Sequence, residues 1–403
     1  MCAIMNRKKS TKNEEVDAMA HSNTVLSQIL RIFPRHEFEA LCRKHPSTVQ
    51  MRTFTNWTQF VVMLTAQWAG LDSLRSIVDT FSTQLKNFYH LGINSFSRST
   101  LSRANSRSSS SQLFESVFFE LLSRCQRISP SNKKFKFKFK GLNKVYLLDA
   151  TLIQLPLSIF SWAKYQKTKG AVKLHMGLSI DGYLPTFVNI SIGKEHEINK
   201  ARIQSFPKGS VLVFDRGYTD YKWFKKLTDQ NVFFVTRLKK NAVFELGHKR
   251  SGRKSEGIIS DQKLKLKDID ETFRLVCFTD KESNEEYSFL TNAHHFPGEI
   301  IAKLYKERWQ VELFFKWIKQ HLKVKSFIGT SISAVRTQLW IALCSYLFLA
   351  FLKFMSRSKL SLLDILRKIQ LNLFVQRDLA DFFRPPNPQK VCKIRQLPIF
   401  SLL

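Results

Sequence analysis

A chain of 403 residues with 44% hydrophobic content has the length for two or three domains and at least one sizeable core. Lys and Arg number 64 against 32 Asp and Glu, a formal charge of +32, which exceeds what solubility requires and points to a polyanionic partner, nucleic acid first and an anionic membrane surface second. Three further features argue against the secreted, disulfide-built and membrane-spanning classes. Cys2, Cys42, Cys125, Cys277, Cys344 and Cys392 stand at no zinc or redox spacing and read as reduced thiols of a cytosolic protein. The N-terminus has no apolar signal core, and Glu14, Glu15 and Asp17 argue against a transit peptide. The longest uncharged run, residues 337–352, falls short of the roughly 20 residues of a bilayer span and reads as a buried core helix.

In chain order, residues 1–20 are polar and expected to be disordered, and 21–130 are expected to form an all-α, DNA-binding domain. Within it Leu74, Ile77, Val78, Phe81, Leu85 and Phe88 recur at helical spacing, and Gly92 is placed to stop that helix. Ser97 or Ser99 then caps a short helix carrying Arg98, Arg103 and Asn105, which resembles the reading half of a helix-turn-helix. A solvated Ser and Arg-rich helix is the other reading. From 132 to 144, lysines alternate with Phe135, Phe137 and Phe139, sending cations and rings to opposite faces of a strand, either to grip phosphates or to protect a sheet edge. Strands follow from about residue 143, two of them joined in a hairpin at Asp181-Gly182. A short helix, a strand at 210–220, a helix capped by Asp220 and another strand come next. Residues 239–293 read as a β-rich insertion, then helices return at about 298–323, 333–355 and 360–374, before a tail from 376 to 403.

Two apolar runs end in an acid: Val145 to Leu148 lead into Asp149, and Val211 to Phe214 lead into Asp215. Runs of this kind predict strands buried on both faces, whose carboxyl ends carry the sites of open α/β sheets. The segment from Pro297 past Lys319 predicts one continuous helix on which Tyr305, Arg308, Glu312 and Lys319 fall within about 60° of one another. An Arg308–Glu312 pair on a solvated face is the plain alternative, but the apolar neighbours Val311, Leu313 and Phe314 predict an enclosed helix. Three hard oxygen donors suit Mg²⁺, with Mn²⁺ as a substitute, acting on a phosphodiester. Arg308, Lys319 and Tyr305 would then hold phosphate oxygens. Elsewhere His175 reads as a satisfied core histidine and His196 as a loop residue. Glu195 and Glu197 are set aside as ligands because no buried strand presents them.

Asp149, Asp215 and Glu312, with the spacing Y-x2-R-x3-E-x6-K met by Tyr305, Arg308, Glu312 and Lys319, resemble the DDE transposases of bacterial insertion sequences, specifically the "IS-four" family. The contexts LDAT, FDRGYTDY and LYKERWQVELFFKWIKQHLKVKSF carry the same resemblance, from about residue 21 to 375. It implies an α/β fold: a ribonuclease H-like catalytic core over 141–375, interrupted by the β-rich insertion and preceded by the helical domain. It further implies that Asp149, Asp215 and Glu312 hold Mg²⁺, and that Tyr305, Arg308 and Lys319 contact phosphate near the cut end. The partners it implies are double-stranded transposon-end and target DNA and a synaptic homodimer, in the cytoplasm with the nucleoid and away from membranes. A freed 3′-hydroxyl would attack the opposite strand to make a hairpin, and later the target. Relatives stack a flipped base on an aromatic; Phe244, Tyr287 and Trp309 are the candidates, with core packing the alternative for each. A nuclease or resolvase that cuts without joining, and a DNA-binding derivative without activity, are the competing readings.

Overall fold

The computed structural model describes residues 23–46, 53–130, 144–249, 257–267, 270–322, 324 and 326–384. The polar N-terminus, nearly all of the Lys and Phe alternation, and most of the tail from 376 lie outside the described residues. The chain opens with α1 (Val25–Leu30), α2 (Arg35–Lys44) and α3 (Asn56–Ala69), the first and third begun by Thr24 and Thr55, whose hydroxyls accept backbone N–H groups that a helix start leaves unpaired. The single helix expected from Leu74 to Gly92 is instead α4 (Leu74–Ser82), a 3₁₀ turn at Leu85–Asn87 and α5 (Phe88–Leu91). Hydroxyls break it: Ser82 and Thr83 donate to the carbonyls of Asp79 and Thr80 at 2.7 and 2.8 Å, competing with helical bonding at that point. Gly92 does end the run, at φ +63°, where a Cβ would be strained. The short helix α6 (Arg98–Asn105), capped by Ser97, leads into the long α7 (Ser108–Ile128).

Next come β1 (Val145–Leu155), β2 (Gly170–Ser179), β3 (Pro185–Ile192), α8 (Glu197–Arg202), β4 (Val211–Val213), α9 (Tyr221–Asp229) and β5 (Phe233–Arg237). The β2–β3 hairpin turns at Gly182, φ +66°, and Asp220 caps α9 by accepting from the Trp223 N–H at 2.9 Å. The expected insertion contributes β6 (Phe244–Lys249), β7 (Ile258–Leu266), β8 (Thr272–Thr279) and β9 (Glu286–Thr291). These strands do not stand apart. They extend one nine-stranded sheet in the order β3-β2-β1-β4-β5-β9-β8-β7-β6, with β1, β4 and β5 parallel and the other pairings antiparallel. The chain closes with α10 (Gly298–Glu307), α11 (Trp309–His321), α12 (Ile332–Ser356) and α13 (Leu362–Gln370).

Strand alternation sorts the sheet into two covered faces. Val145, Leu147, Val211 and Val213 join a core that includes α10 to α13 and the N-terminal helices, whereas Tyr146, Leu148, Leu212 and Phe214 pack against α8 and α9. Of the helices described, α12 alone is long and apolar enough to cross a membrane, yet 72% of its most apolar window is buried within the protein. The Phe348 ring on α12 lies 6.4 Å from Phe60 and 5.7 Å from Trp68, and Trp340 lies 5.3 Å from Phe118. The N-terminal helices and the sheet-covering helices therefore share one core. Phe348→Ala is expected to cost about 3–5 kcal/mol and to lower the thermal midpoints reported by N-terminal and sheet probes together; a shift seen by N-terminal probes alone would contradict a shared core.

Candidate active site

The parallel register places Leu147 of β1 opposite Val213 of β4. Two residues further on, Asp149 therefore stands level with Asp215; Asp149 keeps the face of Leu147, which β1 turns toward α10 and α11, and Asp215 lies past the end of β4. Asp215 follows its strand and starts a 3₁₀ turn, accepting from the Gly217 N–H at 2.9 Å. Asp149 departs from the expectation of a strand-ending acid. It lies inside β1, paired with Met176, because β1 continues to Leu155 against β2 after its parallel partner has ended. What sets the level of both acids is the end of β4.

The expected single helix over 298–323 is also two helices. Around Arg308 the hydrogen bonding shifts to three-residue spacing, Arg308 N to Tyr305 O at 3.0 Å and Val311 N to Arg308 O at 3.1 Å, so α10 and α11 meet at a tight 3₁₀-like turn. The four spaced residues still face one way. The Arg308 guanidinium lies 5.5 Å from the Tyr305 ring centre, 2.6 Å from Glu312 and 3.7 Å from Asp149. Two helical turns beyond Glu312, Lys319 donates to the Thr151 hydroxyl at 2.5 Å, and Thr151 shares the strand face of Asp149. Asp149, Thr151, Glu312 and Lys319 line a cleft of about 430 Å³.

This is a costly place for charge. Burial, above all, pushes the Asp149 carboxyl up to about 7; the Ala150 N–H and Arg308 pull it down, and Asp215 and Glu312 push it further up. Burial opposes the Arg308 charge too, but Tyr305, Glu312 and Asp149 outweigh it and raise the guanidinium pKa. In kind, carboxylates are the hard donors a divalent ion takes. Among the described residues no three acidic, His or Cys side chains lie close enough to share one ion. The Arg308 fork, in reach of two of the three carboxylates, occupies the ground between them.

Beyond that turn opens a second cavity of about 860 Å³, lined by Arg237, Tyr287, Tyr305, Arg308 and Trp309 among others. The Arg237 guanidinium lies 4.4 Å from the Tyr287 ring centre, and Trp309 is 56% exposed. Phe244 instead packs on the core beneath α9.

The remaining residues singled out by spacing and context fare differently. Arg98 and Arg103 lie exposed on α6, but Asn105, expected beside them on the DNA-facing side, is buried: its amide oxygen accepts from Gln59 at 2.8 Å and its nitrogen donates to the Met63 sulfur. A polar side chain at that point completes a buried network, so Asn105 is corrected to a core residue. Its replacement by alanine should cost about 1–3 kcal/mol through the orphaned Gln59 amide, read by urea denaturation, and a neutral result would contradict that role. His175 is a core histidine, as expected, but only half satisfied: Nε2 pairs with Ser191 at 2.8 Å, whereas the buried Nδ1 has no hydrogen-bond partner among the described residues. Glu197, set aside above, is brought in by the first turn of α8. Its Oε2 lies 3.2 Å from where a Gly217 Cβ would stand, and Asp215 Oδ1 lies 3.0 Å from the same point. The Tyr218 hydroxyl, buried with Glu197, Asp149 and Asp215 nearby, is pushed well above its usual range. The only signal for Glu197 in the residues themselves is an acid opening a helix between two strands.

Comparison with known proteins now bears on the site. The family model "Transposase DDE domain" matches residues 140–348, just over half of the chain, and a model described as a domain of unknown function matches residues 21–94. A Sinorhizobium fredii (strain NBRC 101917 / NGR234) protein assigned as the transposase y4zB is 32% identical over 255 residues, 61% of this chain and 71% of its own length. One from Geobacillus stearothermophilus, assigned as the transposase for insertion sequence element IS5377, is 31% identical over 233 residues, 56% of this chain and 61% of its own length. A third, from Synechocystis sp. (strain ATCC 27184 / PCC 6803 / Kazusa) and assigned to insertion sequence element IS4SA, is 27% identical over 316 residues, 75% of this chain and 85% of its own length.

Proposed function

Because the chain belongs to the DDE transposases of insertion sequences, we propose that its acidic cleft cuts the ends of its element and joins them to target DNA, with Asp149, Asp215 and Glu312 as the catalytic carboxylates. The DDE domain implies a ribonuclease H-like core, and the strand order β3-β2-β1-β4-β5 supports reading that block as the core. One observation carries the reading: strand register levels Asp149 with Asp215, and Arg308, reaching Glu312 and Asp149, ties α11 to that level.

Asp149, Asp215 and Glu312 would hold Mg²⁺ or Mn²⁺. A divalent ion there supplies activation of a water or 3′-hydroxyl and neutralises the oxygen that leaves. The protein's part is orientation and charge. Arg308 presents a planar fork that two phosphate oxygens can accept from, in exchange for its present carboxylate partners. Tyr305 backs that fork from the helix before the 3₁₀-like turn, and Lys319, tethered to Thr151, adds a second cation two turns along the same face. The surrounding charge of +32 brings the duplex to the cleft with strong salt dependence.

In the finer reading, the 3′-hydroxyl freed by the first cut attacks the opposite strand to form a hairpin, and after resolution attacks the target, within a synaptic dimer in the bacterial cytoplasm. Incubating the protein with labelled duplex carrying the element's own end, plus Mg²⁺, should yield nicked, hairpin and joined products. Cutting without any joining would make it a nuclease, and retention without cutting a DNA-binding derivative. Arg98 and Arg103 on α6 are assigned to end recognition. Arg103→Ala should weaken binding of end duplex about tenfold while unrelated duplex changes less; equal losses on both would reduce α6 to general electrostatics.

A further inference from the structure

We infer that Glu197 is a fourth carboxylate of this cleft, approaching the Asp215 side from the opposite layer of the fold and sharing with Asp215 the contact to a divalent ion. The inference rests on the proposed metal-dependent reading and extends it. Glu312 arrives on α11, over one face of the sheet; Glu197 arrives on α8, whose Ala201 packs in the core of the other face. Asp215 stands just past the end of β4, at the start of the 3₁₀ turn that carries Gly217. There Glu197 Oε2 and Asp215 Oδ1 lie within 3.2 and 3.0 Å of one point, the position a side chain would fill if residue 217 were not glycine.

Gly217 is not explained by its backbone, since its φ lies outside the left-handed region. Its missing Cβ leaves open the space between two carboxylate oxygens. The other Glu197 oxygen is 3.4 Å from Lys173 Nζ, whose side chain is 13% exposed, so the carboxylate is held from behind while Oε2 lies 3.2 Å from the point that Asp215 Oδ1 also approaches. A carboxylate anchored through one oxygen and presenting the other is the form in which acids ligate hard cations. The plain alternative is that Glu197 serves only as the counter-ion of Lys173.

Binding of Mn²⁺ without DNA, followed by electron paramagnetic resonance, separates these, using wild type, Glu197→Gln, Lys173→Gln and Asp215→Asn, each checked for folding by circular dichroism. Glu197→Gln keeps the shape and a hydrogen bond to Lys173, and should weaken Mn²⁺ about tenfold. Lys173→Gln should also bind Mn²⁺ less tightly, because the carboxylate then loses the charge that fixes it from behind. A counter-ion role alone predicts wild-type Mn²⁺ affinity in both Glu197→Gln and Lys173→Gln, and that result would overturn the inference. Wild-type affinity in Glu197→Gln alongside loss in Asp215→Asn would overturn it while leaving the cleft's metal reading intact. Unchanged binding in both would overturn the inference and the metal reading together.

Discussion

Replacing Asp149, Asp215 or Glu312 by alanine, one at a time, lowers strand cleavage by more than about a hundredfold, whereas retention of duplex DNA at low salt stays near wild type. The floor comes from metal sites in general: losing a group behind a ligand costs about 10–100-fold, and these three are assigned as ligands themselves. Retention survives because it draws on the whole cationic surface, from which each change removes only a negative charge. The three variants should fail alike, since the register of β1 with β4 and the Arg308 bridge make one unit of residues far apart in sequence. Gel assays of cleavage and filter binding on the same preparations check this, and cutting by all three variants at the wild-type rate contradicts the assignment.

Arg308→Ala is the second large effect, and it falls on stability. Arg308 and Asp149 have side chains only 16% exposed, and Glu312 33%. Removing one partner of a buried pair typically costs about 3–5 kcal/mol, and the partial exposure of Glu312 places the expectation at about 3 kcal/mol. The sign with pH follows from Asp149. Its carboxyl titrates near 7 in the folded chain, raised from 3.8, chiefly by burial. The native state therefore binds a proton that the unfolded chain releases, and stability falls as pH rises from about 4, the full cost standing above about 7. Arg308 moderates that cost by favouring the ionised form. Without it the destabilisation is larger at pH 8 than at pH 5, and thermal midpoints at the two values, in the absence of divalent ions, measure the difference. Asp149→Asn should flatten the profile. A loss in Arg308→Ala that is equal at both pH values would mean that the guanidinium matters only as packing on Tyr305.

Much of this is legible in the residues because apolar runs and spacing are local signals. The strands at 145–148 and 211–214, the cap at Asp220, the hairpin at Asp181-Gly182 and the stop at Gly92 each follow from a few neighbouring side chains. The one-face grouping of Tyr305, Arg308, Glu312 and Lys319 is of the same kind. What escapes depends on partners distant in the chain. Asp149 reads as a strand end because the apolar run ends there, although the strand pattern itself is legible from 144 to 156 and β1 does run to Leu155; only the end of β4 marks its level. The break between helices at Arg308 carries no Gly or Pro signal. The insertion's strands give no hint that they continue the main sheet, since an edge accepts any strand that offers its backbone. Asn105 looks solvent-facing among serines and arginines, but Gln59 and Met63, on a different helix, enclose it. Glu197 needs the junction of two layers to become visible.

The central claim is that three carboxylates distant in sequence serve one divalent ion in the cleft between β1, β4 and α11. Replacing Mg²⁺ by Fe²⁺ and adding ascorbate, so that hydroxyl radicals form at the bound ion and cut the adjacent backbone, tests it most directly. The account predicts cuts clustered near residues 149, 215 and 312, suppressed by excess Mg²⁺ and lost in Glu312→Ala. Cuts confined elsewhere in the chain, or cuts at those places that Mg²⁺ does not suppress, would contradict it.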